Sequence, residues 1–171
     1  MSISKNYVLS LVLVIAAVLL LAGCAHVISR GVLKEVDTSV SFAQLSKDPE
    51  AYQGKTVLLG GDVIETQNLS DKTLVVVLQR PLDRRGEPSA GDVSEGRFII
   101  TTPGFLDPAI YGSGRKITVA GTVVGKEVRP LGEIKYTYPI IEKRELYLWP
   151  EEEAASDESG VRFGVGIGVG F

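Results

Sequence analysis

One cysteine and one histidine are all that 171 residues hold of those two types. A disulfide within one chain and a Cys/His zinc centre are therefore excluded. The same shortage removes Ser-His-Asp and Cys-His catalysis, which needs a histidine fixed by a rigid scaffold beside its nucleophile. Here His26 stands two residues after Cys24, in a segment with no regular period, and reads as a solvated linker residue. A cationic surplus is missing too. Eighteen Lys and Arg face 21 Asp and Glu, net −3, which gives no overall positive field for nucleic acid or for anionic lipid heads. The phosphate-loop spacing is absent: Gly112-Ser113-Gly114-Arg115-Lys116 lacks GxxxxGK[ST] and reads as a turn entering a strand. Nor is there an apolar run of about 20 residues, the length a spanning helix needs.

What is present at the amino terminus is a shorter run. One charge, Lys5, precedes 15 residues from Val8 to Ala22 that are apolar except for Ser10, the proportions of a signal-peptide core. Leu21-Ala22-Gly23-Cys24 follows and resembles a bacterial lipobox. Small side chains before the cut suit a narrow protease site, and only a thiol forms the thioether that carries diacylglycerol. The resemblance implies cleavage after Gly23 and acylation of Cys24 with diacylglycerol and a further fatty acid such as palmitate. More than one chain is what stable anchoring requires. Ala25 stands where an Asp tends to retain such proteins at the inner membrane, so the resemblance implies the outer membrane, with the domain facing the periplasm.

The body is hydrophobic enough to fold, with 44% hydrophobic and 23% charged residues. Residues 24–40 show no sustained period and read as a lipidated amino terminus and tether, about 50 Å long if extended. Ser41-Phe42-Ala43-Gln44 has the pattern of a capping box, predicting a short helix to about Lys47 with Phe42 and Leu45 on one face. Strands are expected over Thr56–Thr66, with a bend at Gly60-Gly61, then Thr73–Gln79, Gly96–Thr101 and Lys116–Val124. A fifth run, Ile134–Trp149, is interrupted at Pro139. A helical turn is expected over Phe105–Tyr111. That order predicts a mainly β domain over 41–150, a small five-stranded OB-like barrel with one or two short helices, preceded by the lipoprotein signal peptide of residues 1–23.

Three features bear on binding or chemistry. Tyr136, Tyr138, Tyr147 and Trp149 alternate along the last strand region, as core filling or as a face that stacks on sugar or a partner. The carboxylates Asp62, Glu65, Asp83, Glu87, Asp92 and Asp107 show no spacing that selects an acid/base pair, and the mixed-sign loop Arg80–Glu95 reads as solvated. Residues 151–171 form an acidic linker and a Gly-rich tail. In the tail Val161, Phe163, Val165, Ile167, Val169 and Phe171 alternate strictly, as a flexible terminus or as a docking strand for the domain's own sheet, a partner or a membrane barrel.

Several phrases together are more specific: Asp71-Lys72-Thr73-Leu74, Gln79-Arg80-Pro81-Leu82-Asp83, Gly96-Arg97-Phe98-Ile99, Pro103-Gly104-Phe105-Leu106-Asp107-Pro108, Gly114-Arg115-Lys116-Ile117, Tyr136-Thr137-Tyr138-Pro139 and Leu146-Tyr147-Leu148-Trp149. With the lipobox they resemble the Slp family of starvation-inducible outer-membrane lipoproteins of Gram-negative bacteria. The resemblance implies induction by starvation or stationary phase and a non-enzymatic role in envelope integrity or stress resistance. It supplies no catalytic residues, metal or cofactor beyond the covalent lipid on Cys24. The alternative is a binding adaptor for peptidoglycan or an outer-membrane protein, through the Tyr136, Tyr138, Tyr147, Trp149 face or through Val165. Nucleic acid is not an expected partner.

Overall fold

A computed structural model describes residues 26–151. The expected capping box forms. Ser41 Oγ accepts from Gln44 N at 3.3 Å, Gln44 Oε1 accepts from Ser41 N at 3.1 Å, and a helix runs Phe42–Lys47 with Phe42 and Leu45 buried. It is α2 here, because a single turn, α1, precedes it at Arg30–Leu33. Pro49 cannot continue α2 and starts a 3-10 turn, Pro49–Tyr52.

Five strands follow: β1 Thr56–Asn68, β2 Lys72–Gln79, β3 Arg97–Pro103, β4 Lys116–Leu131 and β5 Ile134–Leu148. They pair in the order β1-β2-β3-β5-β4 and close, since β4 returns to β1; β3–β5 is parallel and the other pairs are antiparallel. Val57, Leu59 and Val63 of β1, Val75 and Val77 of β2, Phe98 and Ile100 of β3, Ile117, Val119 and Val123 of β4, and Ile141 of β5 fill the interior, with Phe42 and Leu45 of α2 added to the same cluster. Strand β2 is apolar on both faces because Leu74 and Val76, on its other side, join Ile99 and Tyr138 in a second buried cluster.

Closure turns on Gly60 and Gly61. Residues 56–62 of β1 pair with β4 and residues 61–68 with β2, so the strand changes partners there. A Cβ on Gly61 would lie 1.9 Å from the Leu78 carbonyl oxygen, and one on Gly60 would lie 2.8 Å from that of Ile117. No side chain fits between backbones this close. The register shift itself falls later, between Val63 and Glu65.

Four expectations need correction. First, the segment expected as a tether is packed on the barrel from Ile28 onward, and that side chain is 1% exposed. Ser29 caps α1 and ties it to Glu145, Glu35 makes a two-point ion pair with Arg144, and Val36 bridges to Thr56. Second, β4 does not end at Val124 but runs to Leu131. It pairs with β5 residue by residue to the Gly132 turn, making a long two-stranded arm. Third, Pro139 does not interrupt β5. It pairs with Lys126, and β3 joins β5 only from Ile140, so Pro139 stands at an edge where a missing N–H breaks no second ladder. Fourth, the helical turn expected over Phe105–Tyr111 is shorter, confined to Asp107–Tyr111, where Ile110 N and Tyr111 N both donate to Asp107 O, at 3.0 and 2.9 Å.

Candidate functional site

Loop 80–95 is not a free solvated excursion. Leu82 bridges to Pro88, the Asp83 carboxylate accepts from the N–H groups of Arg85 and Glu87 at 2.8 Å each, and those bonds hold its pKa below the ordinary 3.8. The loop lies over the outer face of β1 and β4. There Gly60 admits Leu82 and Pro88, Arg80 pairs with Asp62 at 2.7 Å, and Lys116 reaches Glu87 at 3.4 Å. Beneath it Trp149 Nε1 donates to Thr118 Oγ1 at 2.9 Å, and Thr118 Oγ1 donates to Gly86 O at 2.6 Å. Those contacts satisfy the polar groups of a buried seam between loop, β4 and the end of β5. Asp62, Asp83 and Glu87 of the carboxylate pool are thus engaged in folding contacts. Asp107 likewise accepts from Ala109 N at 2.9 Å, closing its own turn. Among the described residues no group of three or more His, Asp and Glu is placed to hold a metal ion.

The first described residue enters at this seam. The His26 ring packs on Gly86, where an added Cβ would meet Cε1 at 2.9 Å, and its Nδ1 accepts from Ile28 N at 3.4 Å. His26 is half-buried rather than solvated. From Ser29 to Asp37 three carboxylates fasten the segment. Glu145 is lowered from 4.5 by the Ser29 hydroxyl and N–H, and Glu35 from 4.5 by hydrogen bonding to Arg144. Asp37 is lowered to about 2, first by the Ser39 hydroxyl and then by Lys55. At the other chain end the Arg115 guanidinium bonds both Ile110 O at 2.8 Å and Trp149 O at 3.0 Å, fixing where the chain leaves β5.

The aromatic residues do not form one row. Tyr136 and Tyr138 meet edge-to-face at 4.7 Å, and Tyr147 and Trp149 at 4.9 Å. Between the pairs lie eight residues of β5, about 30 Å of strand from Tyr138 to Tyr147, and a register shift at which Ala120 pairs Glu145 while Gly121 pairs Lys143. Tyr138 is buried in the second cluster and the Tyr136 hydroxyl accepts from Arg97 N at 2.8 Å, so this pair caps the outer face of β2 and β3. Trp149 is buried over β4. The rings fill and close the structure at two separate places instead of offering one stacking face. Leu21, Ala22, Gly23, Cys24 and Val165 lie outside the described residues.

An open concavity that sequence reasoning missed runs beside the Tyr136–Tyr138 pair. It measures about 550 Å³ and is lined by Leu69, Lys72 and Leu74 from the β1–β2 hairpin, and by Arg129, Ile140 and Glu142 from the arm, among others. Arg129 is clamped by Glu127 at 2.6 and 3.1 Å, which raises its pKa further and fixes the guanidinium at the edge of the groove. The lining is mixed, with Leu69, Leu74, Val124 and Ile140 among six polar or charged side chains. Its only signal in the sequence is the polar alternation of residues 126–131, legible as a strand only once β5 is known to pair with it.

The family model described as "Outer membrane lipoprotein Slp family" matches residues 21–164. An "Uncharacterized protein" of Haemophilus influenzae (strain ATCC 51907 / DSM 11121 / KW20 / Rd) is 32% identical over 121 residues, 70% of this chain and 66% of its own. Two proteins of Escherichia coli (strain K12) are similar over more of the chain. "Uncharacterized lipoprotein YeaY" is 28% identical, covering 87% of this chain and 76% of its own, and "Outer membrane protein Slp" is 26% identical, covering 84% and 77%. The chain spans roughly two thirds to three quarters of the length of these relatives.

Proposed function

The chain belongs to the outer membrane lipoprotein Slp family, and from that membership we propose that it is a non-enzymatic lipoprotein held in the outer membrane by acyl chains on Cys24. Its domain faces the periplasm and supports envelope integrity during starvation or stationary phase. The observation that carries this reading is that the family match begins at Leu21, the first residue of Leu21-Ala22-Gly23-Cys24, behind a 15-residue apolar run. The engagement of the loop carboxylates in folding contacts supports a binding or structural role over hydrolysis. Closed strand order with one parallel pair, β3–β5, supports reading the barrel as OB-type. The test is membrane fractionation of cells carrying wild type or Cys24→Ser. Globomycin-sensitive processing and outer-membrane density for wild type, with neither for the variant, are expected. A wild-type chain that fractionates as soluble would sink the proposal. Loss of viability of a deletion strain in prolonged stationary phase, restored by wild type and not by Cys24→Ser, tests the physiological part.

The groove favours a second reading, an adaptor whose cleft takes an envelope partner such as a peptidoglycan strand or a segment of an outer-membrane protein. Cosedimentation with purified peptidoglycan that is abolished by Leu69→Asp or Lys72→Glu supports the sugar version; absence of retention by wild type removes it. Photocrosslinking from an unnatural residue at Val165 tests whether the tail, rather than the cleft, meets a partner.

A further inference from the structure

Cys24 stands four residues before Ile28, whose side chain is 1% exposed. An extended chain covers at most about 3.6 Å per residue, so the backbone at Cys24 lies within about 14 Å of a fixed point on the barrel. On so short a leash the barrel stays within about 14 Å of the headgroups, near enough for one of its walls to rest against them. The wall is identified by what surrounds the entry point. His26 packs on Gly86, in the turn that also carries Arg84 and Arg85, and Ser29 starts α1 with Arg30, followed by Lys34. Arg30, Lys34 and Arg84 are exposed, and none has an ion-pair partner among the described residues. Arg85 is held by Glu87 at 2.8 Å with most of its side chain in solvent. The same wall carries Glu35, Asp83, Glu87 and Glu145 against Arg30, Lys34, Arg84, Arg85, Lys116 and Arg144, a local excess of two positive charges on a chain whose net charge is −3.

Resting on the acylation of Cys24, we propose that the barrel lies directly on the leaflet, with the wall around His26, Gly86 and α1 against the surface and Arg30, Lys34 and Arg84 on phospholipid phosphates. Juxtamembrane cations are drawn to such phosphates within a Debye length of the surface. The anchor and the basic wall then act as the two signals that together orient a lipoprotein, where acyl chains alone leave it free to swing.

The chain's single tryptophan, Trp149, belongs to the same wall through Thr118 and Gly86 and serves as the reporter. The acylated chain is purified from membranes and placed in phosphatidylethanolamine–phosphatidylglycerol vesicles containing a dansyl-headgroup lipid, and energy transfer from Trp149 is measured. Strong transfer is expected. It should fall several-fold when about 20 Gly-Ser residues, roughly 25 Å of mean reach, are inserted after Ala25. It should fall to a lesser degree, and become salt-insensitive, in the Arg30→Glu/Arg84→Glu variant. Flotation with the vesicles but equal transfer with and without the insertion overturns the proposal. An effect of the insertion without any effect of the charge changes overturns the phosphate contacts and leaves only proximity. A chain that does not float at all refutes the acylation reading, and this inference falls with it.

Discussion

Replacing Ile28 by Ala should free the amino-terminal segment while leaving the barrel folded. Ile28 is 1% exposed and removed from the barrel's main interior cluster, so its burial stabilises the docking of residues 26–37 rather than the strands. Truncating a buried Ile to Ala costs about 2–5 kcal/mol. Four-residue α1 has no stability of its own, so the loss falls on the docked state. At about 3 kcal/mol the opened population rises roughly a hundredfold, a tenfold change being 1.4 kcal/mol. The polar ties left behind, Ser29–Glu145, Glu35–Arg144 and Asp37–Lys55, are exposed and contribute little to hold it. The assay is tryptic cleavage after Arg30 and Lys34 in the detergent-solubilised chain, followed by mass spectrometry, with the thermal midpoint as control. Cleavage should accelerate by about two orders of magnitude, since proteolysis follows the open population when reclosing is fast, with little change in the midpoint. Unchanged cleavage would refute the view that Ile28 docks the segment. Acceleration matched by global unfolding would show the segment to be part of the barrel's cooperative unit.

Gly61→Ala drives a Cβ to 1.9 Å from the Leu78 carbonyl oxygen, backbone that cannot rotate aside. Its cost should exceed the about 1–3 kcal/mol of ordinary overpacking, read as a fallen urea midpoint or loss of the folded state. Thr118→Val leaves Trp149 Nε1 and Gly86 O without their partner; destabilisation of about 2 kcal/mol with a changed Trp emission is expected, and Thr118→Ser should restore both. Acid should loosen the amino-terminal segment without undocking it, since its exposed ties contribute little beside the buried Ile28 side chain. Glu35, Glu145 and Asp37 have folded values below their ordinary 4.5, 4.5 and 3.8. Their contribution is therefore complete above the ordinary values and is lost as pH falls through the folded ones, about 2 for Asp37. Hydrogen exchange at residues 29–37 should lose protection between about pH 4.5 and 2 ahead of β2, and equal loss in both would contradict this.

Local signals were legible from the sequence. The capping box, the two-sided apolar run of β2 and the paired glycines of β1 each express a physical demand within a few residues. What escaped sequence reasoning is set by distant partners. Ser29 meets Glu145 and Glu35 meets Arg144 across more than a hundred residues, so 26–40 carries no period by which its docking could be read. The outer half of β4 is a strand because β5 pairs with it, and its Lys126-Glu127-Val128-Arg129 alternation resembles a solvated loop until that partner is known. The aromatic row was inferred from alternation alone. The odd interval from Tyr138 to Tyr147 already breaks the alternation; the extra β5 residue at the Ala120/Gly121 shift returns both pairs to the outer side, and it is the length of strand between them that makes the rings serve two places.

The central claim is that this chain is an outer-membrane lipoprotein anchored at Cys24, and the intact mass of the protein extracted from purified outer membrane tests it most directly. A mature chain beginning at Cys24 and heavier by a diacylglyceryl group and a further acyl chain, the added mass removed by Cys24→Ser, is the predicted result. An unmodified chain beginning elsewhere, or full-length protein still carrying Met1, would contradict it.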